Sequence, residues 1–96
     1  MKEAKVDQVL AALAHPVRRS MVSRLMEGEA TVTELGAPFE LSQPAISHHV
    51  RVLEEAGLVT QRVDGTRRPR RLSPRGLASL DAWIDAVRTA YEANYD

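Results

Sequence analysis

The chain has 96 residues, 44% of them hydrophobic and 27% charged, with thirteen basic and thirteen acidic side chains and no cysteine. Those values exclude a disordered tail, a disulfide scaffold, a thiolate metal site and a thiol redox switch. No apolar run reaches the ~18 residues of a membrane helix, and no charged-then-apolar leader opens the chain, so one small domain over residues 1–96 in the cytoplasm, away from membranes, is expected.

Residues 4–14 place Val6, Val9, Leu10 and Leu13 at helical spacing. Pro16 then stands at the favoured first position of a second helix, in which Val17, Met21, Val22 and Leu25 line one face. Arg18, Arg19 and Arg24 lie off that face, and Gly28 supplies the stop. Thr31 and Glu34 have capping-box spacing for a short third helix, although Thr33 is an equal candidate for the cap; Pro38 keeps this helix short. Ser42 caps a fourth helix from Gln43 to about Ala56, with Pro44 tolerated in its first turn. Two extended runs then join at Asp64-Gly65, a favoured tight-turn pair, with Pro69 shortening the second run. Ser73-Pro74 opens a last helix to about Asn94, carrying the stripe Leu77, Leu80, Ile84, Val87 and Tyr91. At ~1.5 Å per residue that helix is roughly as long as the domain is wide, so dimerisation is the expected use of the stripe, with burial against the first helix as the alternative. The expected architecture is mainly α with a small β-hairpin, in the order α-α-α-α-β-β-α.

On the fourth helix Ile46, Val50 and Leu53 face inward, flanked by Ala45, His49, Val52 and Ala56. Gln43, Ser47, His48 and Arg51 lie on the opposite side, toward its N-terminal half. Small polar side chains, an amide and an arginine are the types that bond base edges in a major groove. A short helix and a tight turn precede this one, which is the helix-turn-helix arrangement. The hairpin follows directly, and residues 62–75 hold six of the thirteen basic residues (Arg62, Arg67, Arg68, Arg70, Arg71, Arg75) against one acid, Asp64. That stripe carries +5 and the remainder −5, a distribution suited to a polyanion. Helix-turn-helix plus basic hairpin makes a winged helix.

"LAHPVRRSMVSRL", "TVTEL", "LSQPAISHHVRVLEEAGLV", "RVDGTRR" and "LSPRGL" together resemble the ArsR family of winged-helix transcriptional repressors over about residues 10–80. The resemblance implies a homodimer built from the first and last helices and bound to a pseudo-palindromic operator in double-stranded DNA. By matching positions it implies DNA contacts at Ser42, Gln43, Ser47, His48 and Arg51, with Arg67 and Arg68 on the wing. The dimer would bury Val6, Leu10, Leu80, Ile84, Val87 and Tyr91. Many family members sense metals through a Cys-x-Cys pair in the third helix, and this chain has no cysteine; others use Asp and His on the last helix, which here offers Asp81 and Asp85 but no histidine. The expectation is a member of the type lacking the cysteine motif, without metal or other cofactor.

Adjacent helical residues point about 100° apart, so His48 and His49 do not grip one ion. His49 is expected to pack at the edge of the core, His48 to reach DNA, and His15 to serve the helix junction. With no Gly-rich phosphate loop and no nucleophile signature, an enzyme is not expected. Two alternatives stand beside the repressor: a winged-helix protein-interaction module without DNA binding, and a repressor controlled by a small organic effector held near Trp83, Tyr91 and Tyr95.

Overall fold

A computed structural model describes residues 2–95, and the side chains of residues 6–95. Its elements are α1 (Lys2–Leu13), α2 (Pro16–Leu25), α3 (Val32–Gly36), α4 (Gln43–Glu55), β1 (Val59–Gln61), β2 (Arg70–Leu72) and α5 (Pro74–Tyr95). The expected element order and the mainly helical class are both present.

Local chemistry explains the boundaries. His15 caps α2, its Nδ1 accepting from the Val17 N–H at 3.2 Å, and Pro16 follows at the first helical position. The third helix is capped by Thr31 rather than Thr33: Thr31 Oγ1 accepts from the Glu34 N–H at 3.2 Å, and Glu34 Oε1 accepts from the Thr31 N–H at 2.8 Å. The backbone N–H of Thr31, then its hydroxyl, holds the Glu34 carboxyl below its usual value. Thr31→Ala is therefore expected to cost about 1 kcal/mol, read as a lower midpoint in urea unfolding. The helix ends at Gly36, before Pro38, as that proline requires.

Val9 and Ala12 of α1, Met21 and Leu25 of α2, Leu35 of α3 and Ile46, Val50 and Leu53 of α4 are buried together with Leu58 and Val59. The α3–α4 crossing is close: a Cβ on Gly36 would lie 2.7 Å from Ile46 Cγ2. Glycine at position 36 leaves room for that approach.

The hairpin pairs Val59 with Leu72, Thr60 with Arg71 and Gln61 with Arg70, antiparallel. On its far side Arg70 also pairs with Ala30, exchanging both backbone hydrogen bonds at 3.1 and 2.8 Å. The turn corrects the expectation by one residue. Asp64 and Arg67 pair with each other, so the two loop residues are Gly65 and Thr66, not Asp64-Gly65. Gly65 has φ +63°, and among the described residues no non-glycine has positive φ, so Thr66 fits the second position of a type II′ turn. The register that places Val59 opposite Leu72 against the core carries through to the tip and overrides the local turn preference.

The first turn of α5 docks on the end of α4, where Gly76 N–H donates to Gly57 O at 2.8 Å. The helix then packs along α1. From Asp81 to Tyr95 every residue is exposed. Helix α5 thus meets the rest of the chain near its start, through buried Gly76 and half-buried Ser79 and Leu80, while its apolar outer face is exposed.

Candidate nucleic-acid interface

Helix α4 has one apolar side and one polar side. Ile46, Val50, Leu53 and Ala56 are buried, and His49 is 9% exposed. Gln43, Pro44, His48, Arg51 and Glu55 are exposed, whereas Ser47 is half-buried at the edge. Ser42 Oγ accepts from the Ala45 N–H at 3.3 Å, so this hydroxyl shapes the helix start and keeps its own O–H free to donate. The polar side runs Gln43, Ser47, His48, Arg51 from the N-terminus and ends on Glu55, an acid that would repel phosphate. This polarity gives the helix an N-terminal end suited to a groove and a C-terminal end unsuited to one.

The six arginines of residues 62–75 divide into two groups. Arg62 clasps Glu29 with Nη2–Oε1 at 2.6 Å and Nε–Oε2 at 3.0 Å. That hydrogen bond lowers the Glu29 pKa and raises that of Arg62. Arg70 Nε donates to Glu54 Oε2 on α4 at 2.7 Å, and its Nη1 to Arg68 O at 2.6 Å. These two arginines tie the wing to the strand-forming segment at Ala30 and to α4, and their charge is neutralised. At the exposed tip Arg68 Nη1 donates to Gly65 O and Arg67 O, both at 2.8 Å, while Arg67 lies 3.7 Å from Asp64 Oδ2. Arg67, Arg68, Arg71 and Arg75 are exposed. A fixed wing with a cationic tip results, in place of one uniform cationic stripe.

Of the proposed DNA-facing residues, Gln43, Ser47, His48 and Arg51 share one side of α4, with Ser42 at its cap and Arg67 and Arg68 on the wing tip. Of the proposed dimer residues, Leu10 is 42%, Ile84 38%, Val87 48% and Tyr91 62% exposed, while Val6 and Leu80 are half-buried. Asp81 and Asp85 are exposed, and Asp85 lies 3.6 Å from Arg88. Among the described residues no three His, Asp or Glu side chains converge as a metal site. Nor is any helix long and apolar enough to cross a membrane.

Sequence reasoning missed the structural arginines. Arg18, placed merely off the core face of α2, is half-buried and bonds to Ala12 O, Ala11 O and His49 Nδ1. The signal was a basic residue just after a helix end, where unpaired carbonyls collect.

Comparison with known proteins agrees with this geometry. A family model described as a helix-turn-helix domain matches residues 13–62. The HTH-type transcriptional regulator Rv2034 of Mycobacterium tuberculosis is 42% identical over 89 residues, 93% of this chain and 83% of that protein. A crystal structure of an ArsR family transcriptional regulator superposes with a TM-score of 0.88 at 28% identity, covering 96% of this chain and 95% of the other. The solution structure of a homodimeric winged helix-turn-helix DNA-binding domain from Mycobacterium bovis, a possible ArsR-family regulator, superposes with a TM-score of 0.70 at 26% identity, over 97% and 87% of the two chains. This chain belongs to the ArsR family of winged helix-turn-helix transcriptional regulators, and it has no cysteine with which to form the family's thiolate metal site.

Proposed function

We propose that the protein is a cytoplasmic, sequence-specific repressor: one winged helix-turn-helix domain that dimerises through α1 and α5 and binds a pseudo-palindromic operator. The observation that carries this reading is the exposed polar side of α4 standing beside a braced wing whose tip presents Arg67 and Arg68. The N-terminal half of α4 enters the major groove, where Gln43, Ser47, His48 and Arg51 meet base edges. The wing arginines contact flanking phosphates, which set affinity and its salt dependence but not sequence. Two copies related by a two-fold axis read half-sites about 34 Å apart, one DNA turn. Occupancy of the operator represses the adjoining gene, and the chain's own promoter is the first candidate.

The test is fluorescence-anisotropy binding to the gene's upstream DNA and to scrambled DNA at two salt concentrations. Preference for the native fragment, with affinity falling as salt rises, is expected. Arg67→Ala should weaken binding to every sequence alike and make the log–log salt slope shallower by about one. Gln43→Ala should instead lose ~1–3 kcal/mol of discrimination at one base pair of each half-site. If the two variants lose affinity equally on all sequences, the division between reading and anchoring is wrong. Failure to select any DNA from a random pool would leave a protein-docking wing as the better reading.

A further inference from the structure

One polar cluster behind the reading face takes no part in those contacts. Arg18, in the first turn of α2, donates from Nε to Ala12 O at 2.6 Å and from Nη2 to Ala11 O at 3.2 Å, serving carbonyls in the last turn of α1. The Nη1 of the same guanidinium lies 3.0 Å from Nδ1 of His49, in the middle of α4. A guanidinium has donors and no acceptor, so His49 Nδ1 must be the accepting nitrogen, and the ring is neutral with its proton on Nε2. Three helices meet at this one side chain.

We propose that Arg18 is a positioning residue for operator binding: it brackets the end of α1 to His49 and so sets the angle of the reading helix on the dimer-forming helix, and the bracket opens when His49 takes a proton. The role rests on the repressor reading above, because it acts through the geometry of a dimer. The two copies of α4 must present their polar sides one DNA turn apart, and a rotation of α4 on α1 displaces both at once.

The surroundings of His49 fix the direction of the pH effect. Protonated imidazole has two donors and no acceptor, so it would face a donor-only guanidinium. The titratable and charged groups around the ring are Arg18 from α2, His15 from the α2 cap with its ring centre 4.5 Å away, and His48 from α4 at 5.8 Å. None of the three carries negative charge. Gln8, Ala11 and Ala12 of α1 and Val52 and Glu55 of α4 line the adjoining cleft together with Arg18, and Glu55 is the one acid there. Loss of water around the ring, then the neighbouring His15, Arg18 and His48, keep the His49 pKa below its ordinary 6.5. Because the folded pKa is depressed, the unfolded chain binds this proton more readily. The contribution to stability is therefore complete above about pH 6.5 and shrinks as pH falls toward the folded value.

The absence of cysteine makes a spin label at Arg51→Cys unique in each protomer; the labelled protein serves only for the α4-to-α4 distance distribution, read without DNA, and operator binding is measured on unlabelled protein that keeps Arg51. Arg18→Lys keeps the charge but has no planar fork to span three acceptors. His49→Asn keeps an acceptor near the Nδ1 position and does not titrate. In folded dimers Arg18→Lys should broaden the label distribution and weaken operator binding about tenfold, the scale of one lost charge-assisted hydrogen bond. Binding to random DNA, which rests on phosphates, should change less than about twofold. Acidification from about pH 7.5 to below the ordinary histidine value of 6.5 should broaden the label distribution of the wild type in the same way, and His49→Asn should not show that broadening. An unchanged distribution and operator affinity in Arg18→Lys, or the full acid response in His49→Asn, overturns the proposal. A monomeric wild type overturns it together with the dimer reading. Label distances that respond while no DNA binds would remove the operator reading and leave the bracket standing.

Discussion

Replacing Ile84 and Val87 with glutamate is expected to leave a folded monomer whose operator affinity has fallen at least about a hundredfold, the gain that joining two binding modules typically brings. Leu77, Ile84, Val87 and Tyr91 form one stripe on α5 and are 44%, 38%, 48% and 62% exposed, with Leu10 of α1 at 42%. Tyr91 and Tyr95 stack on each other with ring centres 5.5 Å apart, continuing that apolar face to the end of the helix. Exposed apolar side chains repeated at helical spacing, as along α5, are the kind of surface that association covers, which is the reason for the prediction. Carboxylates brought face to face across a two-fold axis would be desolvated and would repel. Core residues such as Leu53, wholly buried, should not sense the change. Sedimentation velocity reads the oligomeric state and anisotropy the affinity; a dimer that survives with full operator binding would show that α5 is not the interface.

Gly76→Ala should be the most destabilising single-methyl substitution on α5. Its Cβ would sit 2.8 Å from Ala56 O, 2.9 Å from Gly57 C and 3.0 Å from Gly57 O. These are backbone atoms at the end of α4, held in place by Gly57 in a left-handed conformation with φ +79° and by the Gly76 N–H bond to Gly57 O. No flexible side chain is available to yield, so α5 must lift from its seat. A cost of about 1–3 kcal/mol is expected for such overpacking, a large share of the ~5–15 kcal/mol that holds a domain folded. Because the seat joins the end of α4 to the start of α5, the variant should weaken operator binding as well. Thermal unfolding checks the first effect, and a wild-type Tm would mean that the close approach is softer than its distances imply.

Much of the site is legible in the sequence alone. The Ser42 cap, the Pro44 position and the alternation of Ile46, Val50 and Leu53 with Gln43, Ser47, His48 and Arg51 place a two-faced helix, because caps and helical periodicity are settled within about four residues of chain. The expectation that His49 packs and His48 is exposed follows from the same periodicity; His15 is expected only at the helix junction, and its capping of α2 through Nδ1 is a finding of the structure. The apolar stripe of α5 was legible for the same reason.

Other features depended on distances across the fold. Arg18 reaches His49 across 31 positions, Arg62 reaches Glu29 across 33 and Arg70 reaches Glu54 across 16. A long, flexible cationic side chain carries no mark in the sequence of which acceptor it will meet, so the six arginines of residues 62–75 looked like one patch until Arg62 and Arg70 proved to be clasped by Glu29 and Glu54. The one-residue shift of the hairpin turn has the same origin: Asp64-Gly65 is the better local turn, but burying Val59 and Leu72 opposite each other and pairing Arg70 with Ala30 set the register. The sequence by itself therefore determined which elements form and which side chains each face carries, since those depend on neighbours along the chain. Tertiary structure decided which charges are neutralised, where the wing turns and how α4 is tied to α1, because these depend on groups that only folding brings within hydrogen-bonding distance.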